Sequence, residues 1–196
     1  MTGERPPLVD QAAADVIAST RLWIERAVIG LNLCPFAKAV EVKNQIRFVV
    51  SVARTADDLL VDLAREMQYL ADADAEICDT TLLIHPQVLT DFLDYNDFLD
   101  IADAAVDELG LDGVVQVASF HPDYQFAGTQ PDDIDNYTNR APYPTLHLLR
   151  EESVERAVAA FPDTEKIYEN NIRTLRRLGP DGWRSLWLKP APNQAP

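Results

Sequence analysis

Residues 80–122 read TTLLIHPQVLTDFLDYNDFLDIADAAVDELGLDGVVQVASFHP. Two short runs, Thr80-Thr81-Leu82-Leu83-Ile84 and 114–120, are rich in β-branched and apolar side chains, and each stops at His-Pro. A helical stretch covers about 88–109 between them, bends near Tyr95-Asn96 and ends at Gly110. Strand, helix and strand in that order predict a crossover unit, with the two strands parallel and adjacent. Proline has no N–H to give the ladder, so it fixes where each strand ends.

Working outward, the same pattern repeats upstream. Residues 46–53, IRFVVSVA, read as the first strand, and Thr55-Ala56-Asp57-Asp58 opens a helix with a capping-box-like start. That helix carries Leu60, Leu63, Met67 and Leu70 on one face. A helix over about 10–29 precedes it, with Asp10 as its N-cap, Trp23, Ile24, Ala27 and Val28 on its apolar face, and Gly30 just past its end. NLCPFA, which follows, reads as a loop or tight turn. Downstream, residues 121–144 are irregular but rich in aromatic side chains, so the loop is expected to be ordered. A fourth strand covers Thr145 to Leu149, and helices over about 153–160 and 164–178 follow, separated by Pro162 and ended by Gly179-Pro180. The expected fold is α/β (or α+β): one domain over 10–188, with a four-stranded, partly parallel sheet in the order α-βα-βα-β-β-αα. The first three strands would lie side by side, with the fourth antiparallel to the third. Residues 1–9 and 189–196 read as flexible ends.

The chain has 196 residues, 47% of them apolar, and a net charge of −15. Such acidity excludes the basic footprint that nucleic acids require, and an anionic membrane would repel it. No apolar run approaches the ~20 residues of a bilayer span. The start, MTGERPPLVD, lacks the basic and apolar regions of a signal peptide. With only Cys34 and Cys78, which is no disulfide framework, a cytoplasmic location with reduced thiols is the expectation.

The chemistry collects at strand ends. His85 and His121 close two parallel strands and so share the sheet edge where ligands bind in open α/β folds. His147, within TLHLL, reads as a packed strand histidine. After His121 come Asp123 and Tyr124, and the loop NYTNRAPYP adds Asn136, Tyr137, Asn139 and Arg140. An arginine among Asn and Tyr suits bidentate capture of an anion, with pairing to Asp132, Asp133 or Asp135 as the competing role. Asp91, Asp94, Asp97, Asp100 and Asp103 recur at threes, the pattern of a solvated helix face. Asp72, Asp74 and Glu76 alternate as an EF-hand loop does, but Ile77 stands where glycine is needed. Nucleotide, zinc-protease and nucleophile-elbow motifs are missing.

GLNLCPFAKAV, SFHPDYQFAGT and NYTNRAPYPTLHLLRE together resemble an uncharacterised bacterial family, catalogued as domain of unknown function 1415, over roughly residues 12–188. The resemblance implies a bacterial, cytoplasmic, single-domain protein and supplies no catalytic residue. Cys34-Pro35-Phe36-Ala37 also resembles the Cys-Pro-aromatic-Cys of glutaredoxins, and Tyr143-Pro144-Thr145 the proline that faces such a cysteine. Here Ala37 replaces the second thiol and Cys34 follows a helix, which leaves buried structural cysteine as the favoured reading.

Two function classes stay open. One is an enzyme for hydrolysis or group transfer on a small anionic metabolite, with His121 as general acid or base, Asp123 or His85 as its partner and Arg140 as anion clamp. The alternative is a non-catalytic binder of a ligand or of a divalent metal held by His85, His121 and Asp123. A single-thiol redox protein using Cys34 is a third.

Overall fold

The computed structural model describes residues 8–160 and 165–187. Most of the expected flexible ends, and the break at Pro162, lie outside the described residues. In chain order the elements are α1 (Leu8–Trp23), a π-helix (Ile24–Ile29), α2 (Ala37–Val42), β1 (Ile46–Val50), α3 (Ala56–Asp72), β2 (Thr80–Ile84), α4 (Phe92–Glu108), β3 (Val115–Phe120), a 3₁₀ turn (Ile134–Thr138), β4 (Thr145–Arg150), α5 (Glu151–Ala160) and α6 (Glu165–Ser185). The fold is mixed α/β. No described helix is long and apolar enough to cross a membrane.

The sheet order is β1-β2-β4-β3. β1 and β2 are parallel, and β4 is antiparallel to both β2 and β3. The expected adjacency of β2 and β3 is therefore corrected: β4 lies between them, though they remain parallel to each other. Burial explains the insertion. All five residues of β2 are buried, as are three of the first four of β4, whereas β1 and β3 carry Arg47, Gln116 and Ser119. Strands covered on both faces belong in the middle of a sheet, and the more polar strands take the edges.

Each sheet face packs its own helices. Val49, Leu83, Leu146, Leu148 and Val115 meet Leu59, Leu63 and Met67 of α3 and Tyr95 and Phe98 of α4. The alternate residues, Ile46, Phe48, Leu82, Ile84 and Phe120, meet Trp23, Ile24 and Ala27, with Leu175 and Trp183 of α6. α4 begins at Phe92, after the Asp91 cap and about four residues later than the sequence suggested, and is continuous through Tyr95 instead of bending there. Gly110 follows its end at φ 67°, a left-handed conformation that only glycine adopts without penalty. Gly179, at the same φ, kinks α6, and a further helical segment follows Pro180. The expected loop NLCPFA ends at Ala37, where the short helix α2 begins.

Candidate functional site

Ile84 and Phe120 both pair with Thr145, so β2 and β3 end in one row and place His85 and His121 at a single sheet edge. Tyr95 rises between them from α4. Its ring stacks on His85 at 5.7 Å and meets His121 at 5.1 Å. Its hydroxyl donates to Thr145 O at 2.9 Å and accepts from Phe120 N–H at 3.1 Å. All three side chains are fully buried.

The polar atoms of this edge are directed inward. His121 donates through Nε2 to Leu89 O at 3.3 Å, and its Nδ1 accepts the Asp123 N–H at 3.0 Å. Burial lowers its pKa, and hydrogen bonding with Leu89 and the nearby acids Asp123 and Asp91 only partly oppose that. His85 donates from Nδ1 to Val88 O at 2.9 Å, which leaves its sealed Nε2 without a partner. Burial drives its pKa down to about 4. The Asp123 side chain is exposed. Among the described residues no cluster of His, Cys, Asp and Glu could hold a metal. His85, His121 and Asp123 form no such group: Nδ1 of His85 and both nitrogens of His121 are engaged with main chain.

The loop residues hold one another. Asn136 is fully buried: its Oδ1 accepts from Phe126 N–H at 3.0 Å and from the Thr129 hydroxyl at 2.7 Å, and its Nδ2 donates to Gln130 O at 2.7 Å. Asn139 donates to Ser119 O at 3.1 Å. Arg140 sends Nε to Tyr124 O at 3.3 Å and Nη2 to Pro131 O at 2.6 Å, and lies 4.4 Å over the Tyr137 ring. Of the acids proposed for it, Asp135 pairs with Arg176 instead. Tyr124 packs between Phe92 and Phe126, and Tyr137 against Trp183. The aromatic side chains thus pack the loop against α4 and α6.

Open space lies on the other sheet face. A cavity of about 320 Å³ sits between the sheet, the π-helix, α2 and α5. Ile24 and Val28 of the π-helix, Ala118 and Phe120 of β3 and Ala157 of α5 give it an almost wholly apolar wall. The volume falls within the range of small-molecule pockets, and short π-helical segments are frequent at functional sites. The π turn is shown by Gly30 N–H bonding Glu25 O and Leu33 N–H bonding Val28 O, each five residues back. His147, on central β4, is one of the rings that line this cavity. Its Nε2 lies 2.7 Å from the Thr80 hydroxyl, and burial takes its pKa down to about 4.

A family described as a protein of unknown function, DUF1415, matches residues 15–185. The chain belongs to that family. No curated protein and no solved structure matches it.

The span shared with DUF1415 runs from within α1 to the end of α6 and so takes in both the histidine edge and the cavity. Cys34 lines the cavity, half-buried, after the π-helix and not after a strand. Burial raises its thiol pKa, which moves it away from the thiolate that redox chemistry needs. In the sequence His147 reads as packed, because its strand neighbours are apolar. A polar ring between two leucines of a central strand is the available signal.

Proposed function

We propose that this protein binds one small, mostly apolar molecule in the cavity beneath the π-helix. The observation that carries the reading is the cavity itself: about 320 Å³ of space against the sheet centre, walled by the small residues Ala118 and Ala157 and opened by an irregular helix. Close-packed interiors rarely keep such a void, whose lining forfeits dispersion contacts. The geometry supports this better than catalysis on an anionic metabolite at the histidine edge, where the imidazoles are buried and Arg140 holds the loop. A cytoplasmic site of action belongs to the same proposal, since Cys34 and Cys78 are both free.

Thermal shift with naphthalene and indole tests it. Binding should raise the melting temperature of wild type, by a roughly constant step for each tenfold rise in ligand above its Kd. Ala118→Phe, which fills the cavity from β3, should fold and lose the response. An equal response in both proteins would place binding elsewhere.

A further inference from the structure

We infer that the molecule taken by this cavity carries a neutral hydrogen-bond donor, an alcohol, a phenol or a heteroaromatic N–H, which it gives to Nδ1 of His147. The inference rests on the reading of the cavity as a ligand site.

Two short contacts assign the protons. The Thr80 hydroxyl lies 2.6 Å from Leu148 O and 2.7 Å from Nε2 of His147. A carbonyl cannot donate, so the single hydroxyl proton goes to Leu148, and the hydroxyl must accept from His147. The proton of the neutral ring is therefore on Nε2, and Nδ1 is a bare acceptor. It has no hydrogen bond among the described residues, and unlike Nε2 of His85 it is not sealed. The open space that His147 borders is this cavity.

Position sharpens the selectivity. His147 pairs across the sheet with Leu82 on one side and Ala118 on the other, with Phe120 at 5.9 Å. The small Ala118 leaves room beside the ring, and the surrounding wall is apolar. A hydrocarbon would bury Nδ1 unsatisfied, whereas a ligand O–H or N–H would satisfy it. A carboxylate would bring lone pairs against a lone pair. Arg150 also borders the cavity but does not offer an obvious clamp, because its Nε and Nη2 donate to Cys78 O and its Nη2 also to Ala73 O. Sites built to hydrogen-bond one ligand group reject analogues that lack it.

Three probes of one shape read this out: naphthalene, 2-naphthol and 2-naphthoate, titrated calorimetrically into the full chain. Wild type should bind 2-naphthol about tenfold more tightly than naphthalene, the margin of one hydrogen bond, and 2-naphthoate more weakly than either. In His147→Phe the margin should vanish while naphthalene still binds. If that variant does not fold, Thr80→Val replaces it: without the hydroxyl the ring proton is free to move to Nδ1, and the margin should shrink to about threefold or less. Equal binding of naphthol and naphthalene to wild type would overturn the donor inference and leave the cavity reading intact. Tighter binding of naphthoate than of naphthol would overturn it in favour of an anion. Failure of all three probes to bind wild type would remove the cavity reading, and this inference with it.

Discussion

His85 and His147 enter the folded state as neutral rings, and that has a consequence in acid. Burial takes both from their ordinary 6.5 down to about 4. Between those values the unfolded chain binds protons that the folded chain refuses. Their contribution to stability is therefore complete above pH 6.5 and is lost as pH falls towards 4, by up to roughly 3 kcal/mol for each ring. Urea unfolding at pH 7 and pH 4.5 should show wild type losing more stability than His147→Phe. Equal losses would show that His147 titrates like a solvated ring. A second residue, Asn136, fixes the loop over 121–144. Asn136→Ala would strand the Phe126 N–H, at about 1 kcal/mol, and would take one partner each from the Thr129 hydroxyl and the Gln130 carbonyl, which keep Phe126 O and the Asp133 N–H. Amide exchange should then speed up across residues 124–131 and stay slow in β3 and β4, and unchanged exchange in the loop would contradict this role. The importance of these loop residues was legible in the sequence, because polar and aromatic side chains clustered there. What they do was not. Catalytic and loop-holding asparagines share a chemistry, and only their partners, six to ten residues away, tell them apart.

Among elements, those with a strong period were readable. The four strands begin within one residue of where their β-branched runs predict. α3 starts where Thr55 can cap it: the hydroxyl accepts Asp58 N–H at 3.2 Å and donates to its carboxylate at 2.8 Å. Thr55→Ala should cost about 1 kcal/mol. The cap is exposed, so the urea midpoint should fall with no change in the denaturant slope, and an unchanged midpoint would show that water replaces it at no cost. Two elements could not be read. α2 has six residues, none of them buried, and no side-chain cap, so it presents no amphipathic period. The π-helix carries its buried residues, Ile24 and Ala27, at a spacing an α-helix would also use. Its wider turn is a matter of hydrogen-bond register, which side-chain pattern does not encode. Sheet order was hidden for another reason. A crossover from β2 to β3 leaves room for one strand between them, and only the comparison of burial across all four strands puts β4 there.

At the scale of the whole molecule, the cavity and the charge are both sums over distant parts. The cavity wall joins Val28, Ala118 and Ala157, which no local motif connects, and so it was invisible in the sequence. The charge was legible from the start: 17 basic against 32 acidic residues, a net −15. Its effect on stability depends on which electrostatic contribution dominates. The ion pairs Arg184–Asp181 and Arg156–Glu152 are exposed and each worth about 0–1 kcal/mol, less in salt. Arg47–Glu66, at 2.8 Å with the carboxylate buried, is screened far less. Repulsion among the surplus acids acts over the whole surface, is greatest in the compact state, and is screened within about 10 Å at 0.1 M salt. Screening should therefore remove more repulsion than attraction. Raising potassium chloride from 0.02 to 0.5 M should increase the unfolding free energy by on the order of 1 kcal/mol. The urea midpoint should rise at constant slope, because the surface exposed on unfolding does not change. A midpoint that falls with salt would mean that the ion pairs, and not the excess of carboxylates, dominate the electrostatics of this fold.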